Sequence, residues 1–339
     1  MNSLSQSPCA LLTAPTMPLI IDSDSLMALV IAPIAFLRLA HHPAADGCRL
    51  GLPPDWPMWR LIAAVLALLS FGTTFADTGA LDRIKAAQTI RIAYSPTAYP
   101  ISFKDTEGVP RGYSVDLCRH IVTSVQQALG LDALEIAWIE GNTPRRVAAV
   151  ANGEADIECG TTTMSLARQR QVDFSNVVFV ESGGILVKSD RGLRGLADLA
   201  GRKVGVVPET TTERRLRPAL SEQGIELELL PIRDAKDGRD RLMADELDAV
   251  AGDRLLLIGQ VADTGKAEDF AIVDANFSVE PYAFALPRND ADFRLEVNRG
   301  LAEVYRSGEI DQIFQRWFGE DSAPTRLLET IYFIYGFSD

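Results

Sequence analysis

From residue 80 onward, stretches with helical periodicity alternate with short apolar runs that are typical of strands. Helical patterns cover Ser114–Leu129 and Thr211–Glu222, for example, and strand patterns cover Thr89–Tyr94 and Lys203–Val207. Such alternation predicts an α/β fold whose strands are largely parallel. The chain has 339 residues, of which 47% are hydrophobic and 23% charged, so it is long enough to form two domains.

Two segments of the chain follow the same plan. In Gly153–Thr161 and in Asp245–Asp253, a helix ends, an acidic turn follows, and a strand runs through glycine to a polar residue. Ligands of α/β proteins bind beyond the carboxyl ends of such strands. If the chain forms two similar lobes, Thr161 and Asp253 should face each other across a cleft. Chance similarity is the alternative, because helix–turn–strand units reuse the same turn chemistry.

A row of hydroxyl side chains follows the first of these segments. Thr161, Thr162 and Thr163 stand at the end of a strand, and Arg168 comes shortly after them. Hydroxyl and backbone N–H groups beside an arginine form a site for a carboxylate. The region contains no histidine, no cysteine pair and no paired acids. The pattern therefore predicts binding without catalysis, and we assign no catalytic residue.

Charge and composition exclude several classes of partner. The formal net charge is -13 and the pI is about 4.8. An acidic surface argues against nucleic acid or an anionic membrane as a partner, although a local basic pocket can still bind an anion. Beyond residue 76 the sequence contains one histidine, His120, and two cysteines, Cys118 and Cys159. We therefore expect no metal site and no cofactor, and the cysteines form either a disulfide or two buried thiols.

The N-terminal part of the sequence carries a targeting signal. A charged start at 58–60, an apolar run at 61–71 and small residues ending at Ala76 are typical of a secretory signal peptide. The apolar run is too short to span a bilayer, which argues against a membrane anchor. We expect residues 58–76 to be the signal peptide. Residues 1–57 are then either translated upstream sequence or a disordered extension.

Several short motifs, taken in order, resemble the periplasmic amino-acid-binding proteins of ABC importers, and above all their glutamate/aspartate-binding branch. The matching segments are Pro100–Phe103, Gly112–Leu117, Asn152–Asp156, Glu158–Thr163, Arg168 with Asp173–Ser175, and Arg316–Phe318. The resemblance extends over roughly residues 80–319. It depends on the order and spacing of the motifs together, because none of them is decisive alone.

The resemblance implies a type II periplasmic-binding-protein fold, in which two α/β lobes are joined by two hinge strands. Mapped onto this sequence, lobe one comprises 80–179 and 282–339, and lobe two comprises 184–277. The hinges then fall near 180–183 and 278–281. The family also implies a monomer that captures a small-molecule amino acid in the periplasm and delivers it to ABC permease subunits.

The same resemblance assigns the residues that bind the common part of an amino acid. Arg168 is expected to grip the α-carboxylate, Asp253 to receive the α-ammonium, and Thr161 and Thr163 to offer carbonyl, N–H and hydroxyl groups. Each has a purely structural alternative. These alternatives are a solvated arginine, a helix cap near Leu255 and capping of a strand end.

A second threonine row is expected to meet the α-carboxylate from lobe two. Thr210 and Thr211 stand at a helix start, where free N–H groups point outward. The family usually has glycine at the position of Glu209, which leaves the geometry of this loop open.

The side chain of the ligand is expected to meet Thr143 and Arg146, which match residues that bind the distal carboxylate in the acidic-ligand branch. A buried arginine there would demand an anion, because an unpaired buried charge is costly, whereas an exposed Arg146 would have no such role. That branch carries a further arginine where this chain has Ser95. Glutamate or aspartate is therefore the expected ligand, with glutamine, asparagine or another polar amino acid as alternatives.

An enzyme on the same scaffold, such as a cyclohexadienyl dehydratase-like lyase, is the competing interpretation. It would need an acid or a base above the cleft. Glu158 is the acid beside the threonine row, but it lies within a strand, where packing or a salt link between the lobes is a simpler role. His120 lies on a helix far from that row. We therefore expect no enzymatic activity.

Overall fold

The computed structural model of the protein describes residues 79–262, 264–273, 275 and 277–337. The expected signal peptide and the segment before it lie outside the described residues. Within the described part, no helix is both long enough and apolar enough to cross a bilayer.

Helices and strands alternate along the described chain, as the sequence pattern predicts. The helices are α1 (Ala80–Ala87), α2 (Tyr113–Leu129), α3 (Thr143–Ala151), α4 (Thr211–Glu222), α5 (Ala235–Met243), α6 (Arg254–Ala262), α7 (Ala291–Ser307), α8 (Glu309–Phe318) and α9 (Arg326–Tyr335). The strands are β1 (Thr89–Tyr94), β2 (Thr97–Ala98), β3 (Ser102–Lys104), β4 (Pro110–Arg111), β5 (Glu135–Glu140), β6 (Ile157–Glu158), β7 (Asp173–Lys188), β8 (Lys203–Val206), β9 (Glu228–Pro231), β10 (Ala249–Asp253), β11 (Phe270–Val273) and β12 (Val279–Leu286).

Strand β7 differs from the prediction and organises the fold. The sequence predicts two short strands, 177–180 and 184–187, separated by Glu181, Ser182 and Gly183. The structure has one continuous strand of 16 residues. Pairing with other strands on both sides overrides the weak strand propensity of the glycines, because sheet formation depends on such neighbours.

The main sheet has two parts that share β7. The strand order is β5-β1-β6-β12-β7-β10-β8-β9, and β11 also pairs with β7. The pairs β1–β5, β1–β6, β8–β9 and β8–β10 are parallel, whereas β12, β10 and β11 run antiparallel to β7. The first half of β7 pairs with β12 and the second half with β10 and β11. The first set of strands forms lobe one, and the second set forms lobe two.

Each lobe has its own hydrophobic core. In lobe one, side chains such as Ile92, Leu117 and Phe284 pack together, and in lobe two Val204 and Leu216 lie in a separate cluster. The two strands β7 and β12 pair where they connect the lobes, with Pro281 opposite Val180 and Val279 opposite Ser182. The fold therefore consists of two α/β lobes joined by two strands, as the resemblance implied.

The structure bonds Cys118 to Cys159, which decides between the two alternatives left open by the sequence. Cys118 lies on α2, and Cys159 follows β6 directly, just before the threonine row. Both residues are buried in the core of lobe one. The disulfide thus fixes the strand end from which the threonine row begins.

Candidate functional site

A cavity of about 230 Å³ lies between the two lobes, at the carboxyl ends of β6 and β10. All nine binding residues proposed from the sequence line it: Ser95, Thr143, Arg146, Thr161, Thr163, Arg168, Thr210, Thr211 and Asp253. The two strand ends with the shared sequence plan, represented by Thr161 and Asp253, therefore reach the same cavity. Thr162, between two lining residues, does not line it, because successive residues alternate in direction.

Arg168 lies in a short helical turn (Arg168–Arg170) and is buried. Its Nη1 donates to the carbonyl oxygen of Thr163 at 2.8 Å, and no carboxylate of the described part forms an ion pair with it. Burial and the nearby charge of Arg214 lower the pKa of Arg168 to about 10, so it stays protonated at neutral pH. A desolvated cation without a carboxylate partner is a site that favours an anion.

Asp253 ends β10 on the opposite lobe and is half-buried. Its Oδ1 accepts a hydrogen bond from the hydroxyl of Thr212 at 3.1 Å, and its Oδ2 accepts one from the hydroxyl of Tyr282. Burial, followed by the negative charge of Glu280, raises the pKa of Asp253 to about 7. A cation brought to this carboxylate would reverse that shift and stabilise the ionised form.

Glu280, which the sequence reasoning missed, connects the threonine rows of the two lobes. It lies on β12, where this strand joins the lobes, and it is 1% exposed. Its Oε2 accepts hydrogen bonds from the hydroxyls of Thr163 and Thr211, both at 2.6 Å. The sequence indicates Glu280 only as a single acidic residue within an apolar strand. Its hydrogen-bond partners could not be predicted, because they lie 117 and 69 residues away in sequence.

Arg146 is 2% exposed, which excludes the exposed alternative. However, its Nε donates to Oε1 of Glu158 at 2.6 Å, and Nη1 donates to the carbonyl oxygen of Gly141 at 2.9 Å. Its Nη2 donates to the hydroxyls of Thr143 at 3.2 Å and Thr161 at 3.3 Å. The expectation that this arginine demands an anionic ligand was therefore wrong in its reason, because Glu158 already balances its charge within lobe one.

The position that carries an arginine in the acidic-ligand branch is occupied by Ser95, which is buried at the cavity wall. Its hydroxyl accepts a hydrogen bond from the N–H of Thr97 at 3.4 Å, and its own N–H donates to the hydroxyl of Ser102 at 3.0 Å. Ser95 thus shapes a turn and contributes no charge. With Arg146 paired, this side of the cavity has hydroxyl groups but no excess positive charge.

Thr210 serves as the N-cap of α4. Its hydroxyl accepts from the N–H of Glu213 at 3.3 Å and donates to the carbonyl oxygen of Val207 at 2.7 Å. The preceding residue, Glu209, has a φ of 62°, the left-handed conformation that favours glycine. The loop therefore keeps the backbone geometry for which the family normally uses glycine, and the first residues of α4, Thr211 and Thr212, line the cavity.

The lobes touch each other beside the cavity. The hydroxyl of Thr97 donates to Oδ2 of Asp234 at 3.2 Å, and Nε2 of Gln260 donates to the carbonyl oxygen of Thr97 at 2.8 Å. Gly259 packs so closely on Tyr99 that a β-carbon there would collide with the Tyr99 carbonyl oxygen. Tyr99 itself is 40% exposed and does not line the cavity.

The two-lobed sheet with its shared strands, together with an interlobe cavity lined by the buried cation of Arg168 and the carboxylate of Asp253, defines a type II solute-binding protein. Residues 90–320 match the profile of the bacterial extracellular solute-binding proteins, family 3. The chain belongs to this family.

Curated relatives and solved structures agree with this assignment. The chain is 32% identical over 270 residues to the L-glutamate/L-aspartate-binding protein of Pseudomonas aeruginosa, covering 79% of this chain and 89% of the relative. It is 30% identical over 275 residues to the glutamate/aspartate import solute-binding protein of Salmonella typhimurium, covering 79% and 91%. A solved ancestral arginine-binding protein bound to glutamine is 27% identical, with a TM-score of 0.60, and the match covers 68% of this chain and 98% of that one.

Proposed function

We propose that the protein captures an amino acid with a polar or acidic side chain in the periplasm and delivers it to the permease subunits of an ABC importer. Family membership and the names of the relatives from Pseudomonas and Salmonella support capture of glutamate or aspartate. The observation that carries the proposal is the interlobe cavity in which buried Arg168, without a carboxylate partner in the described part, lines the same space as Asp253.

In this proposal the two ends of the amino-acid backbone bind to groups of opposite charge. The α-carboxylate pairs with Arg168 and accepts hydrogen bonds from the backbone N–H groups at the start of α4, near Thr211. The α-ammonium pairs with Asp253. The side chain extends toward Ser95, Thr143 and the Arg146–Glu158 pair. A charged fork and a helix N-terminus both favour a carboxylate.

Ligand binding is coupled to closure of the two lobes. Bending at 180–183 and 278–281 opens and closes the cavity, and the closed, ligand-bound monomer is the form that engages the permease. The contacts of Thr97 with Asp234 and Gln260 support this view, because they join residues of the two lobes directly beside the cavity.

The chemistry of the cavity gives little support to the dehydratase alternative. Glu158, the acid beside the threonine row, is bonded to Arg146. Asp253 is bonded to Tyr282 and Thr212. A lyase needs an acid or a base that is free to exchange a proton with its substrate. We infer that the protein binds its ligand without changing it.

The proposal is tested by titrating the mature protein with L-glutamate, L-aspartate and L-glutamine. We expect dissociation constants in the low micromolar range or tighter. Ligand at about a hundred times its dissociation constant should add roughly 2.7 kcal/mol to the free energy of unfolding, which a thermal shift detects. The proposal fails if none of the natural amino acids binds, or if incubation with prephenate or arogenate releases a new product.

The pocket for the side chain is tested by the variant Ser95→Arg. Because Glu158 already balances Arg146, a new arginine would supply a net positive charge near the distal end of the ligand. We expect the preference for glutamate over glutamine to rise about tenfold, the effect of one added charge-assisted hydrogen bond. Calorimetry with both ligands measures the ratio.

Thr123→Arg is the matched control for that variant, because it adds the same charge at an exposed position on α2. Its ratio should equal that of the wild type. An unchanged ratio in Ser95→Arg would show that the distal end of the ligand lies elsewhere. Arg146→Ala is a poorer test, because it would leave the carboxylate of Glu158 buried and unpaired and so destabilise the fold.

A further inference from the structure

We propose that Glu280 is a positioning residue that prepares the cavity for the α-ammonium of the ligand. It holds the hydroxyl protons of Thr163 and Thr211, so that both oxygens act only as acceptors toward the cavity, and it adds a second negative charge behind Asp253. This inference rests on the proposed function, since it concerns how that same cavity recognises an amino acid.

The hydrogen bonds of Glu280 determine where the protons lie. A threonine hydroxyl has one proton to donate. The contacts from Thr163 and Thr211 to Oε2 of Glu280 are both 2.6 Å, whereas the two hydroxyl oxygens are 3.3 Å apart. Hydrogen bonds to an ionised acceptor are shorter and stronger than those between neutral groups. Both hydroxyl protons therefore belong to Glu280.

The remaining lone pairs of these hydroxyls can only accept hydrogen bonds. Thr163 and Thr211 line the cavity, one from each lobe, whereas Glu280 itself does not. Acceptor groups suit an ammonium and repel a carboxylate. In this inference the hydroxyl of Thr211 does not meet the α-carboxylate, and the N–H groups at the start of α4 keep the role expected of them from the sequence.

A link between Thr163 and Thr211 does not require the negative charge of Glu280. Its Oε1 is buried and has no hydrogen-bond partner in the described part of the chain. A buried carboxylate without such compensation is costly, whereas a neutral amide would bind hydroxyl groups at a lower cost. The ammonium of the ligand supplies the missing positive charge.

The neighbouring hinge strand offers a matched control. Glu181 on β7 lies directly opposite Glu280 in the sheet. Its Oε1 accepts from the N–H of the next residue, Ser182, at 2.8 Å, and neither threonine contacts it. Glu181→Gln therefore removes a carboxylate from the same place in the hinge and leaves both threonine hydroxyls on Glu280.

The experiment compares L-glutamate with L-2-hydroxyglutarate, in which a neutral hydroxyl replaces the ammonium. Calorimetry at pH 8 gives the ratio of the two affinities for the wild type, Glu280→Gln and Glu181→Gln. We expect the ratio to fall about tenfold in Glu280→Gln, because its charge acts only on the cation. In Glu181→Gln the ratio should stay within about twofold of the wild type, which is below the effect of one charge-assisted bond.

The outcomes separate this inference from the function on which it rests. If Glu280→Gln lowers the affinity for both ligands equally, Glu280 has only a structural role and the inference is overturned. If Glu280→Gln does not fold, Thr211→Val takes its place. The same fall in the ratio supports the inference, and an unchanged ratio overturns it. A wild type that binds no amino acid overturns the proposed function and the inference together.

Discussion

Replacing Arg168 with alanine should weaken the binding of every amino acid to the same extent, by about a hundredfold or more. Arg168 is buried, and no carboxylate in the described part of the chain pairs with it. In the bound state, its loss would leave the α-carboxylate desolvated without its main partner. Since every amino acid has that carboxylate, the loss should not depend on the side chain of the ligand.

Calorimetry with glutamate, aspartate and glutamine measures this effect. Arg170→Ala is the matched control, because Arg170 lies in the same short helical turn and is exposed. It should bind all three ligands like the wild type. A loss in Arg168→Ala that differed strongly between glutamate and glutamine would place Arg168 at the side chain of the ligand, contrary to the proposal.

Asp253→Asn should abolish measurable binding and, at the same time, stabilise the ligand-free protein at pH 8. The pKa of Asp253 is about 7 in the folded protein, well above the value of roughly 3.9 for an unfolded aspartate. Between these values the folded state binds more protons than the unfolded state, so the free energy of unfolding falls as the pH rises through this window. Above about pH 7 the ionised carboxylate therefore destabilises the ligand-free fold, and asparagine removes that cost.

Melting curves without ligand at pH 5 and pH 8 test the sign of this effect. The variant should exceed the wild type at pH 8, and the difference should shrink at pH 5, where Asp253 of the wild type is protonated. Asp269→Asn, at an exposed surface turn, should show no such pattern. A variant that is less stable than the wild type at pH 8 would mean that the bonds from Tyr282 and Thr212 outweigh the cost of burial.

The sequence predicted the fold well because helices and strands follow local periodicity. The bounds of α4, for example, agree with the prediction, and α2 differs only by its first residue. Strand β7 was divided in the prediction because Gly183, between the two predicted segments, is a poor strand former locally, whereas pairing with a distant strand holds it in the sheet. Helix α9 had no prediction, since it follows the last motif of the resemblance.

The cavity residues were predicted from motifs, but the partners of these residues were not. Arg146 and Glu158 both stand in segments that the sequence analysis considered, yet nothing local indicates that they pair. Glu280 meets Thr163 and Thr211 only because the hinge strand brings both lobes together. Patterns along a chain predict which residues reach a strand end, whereas charge balance depends on contacts between distant segments.

The close packing of Gly259 on Tyr99 has a consequence for how tightly a ligand is held. The observed affinity depends both on the contacts inside the closed cavity and on the fraction of molecules that can close. Gly259 affects only the fraction of molecules that can close, because it lies outside the cavity. Its lack of a side chain lets the two lobes come into contact at Tyr99. Substitutions at this contact between the lobes can therefore change the affinity for the ligand during evolution without changing which ligand is bound.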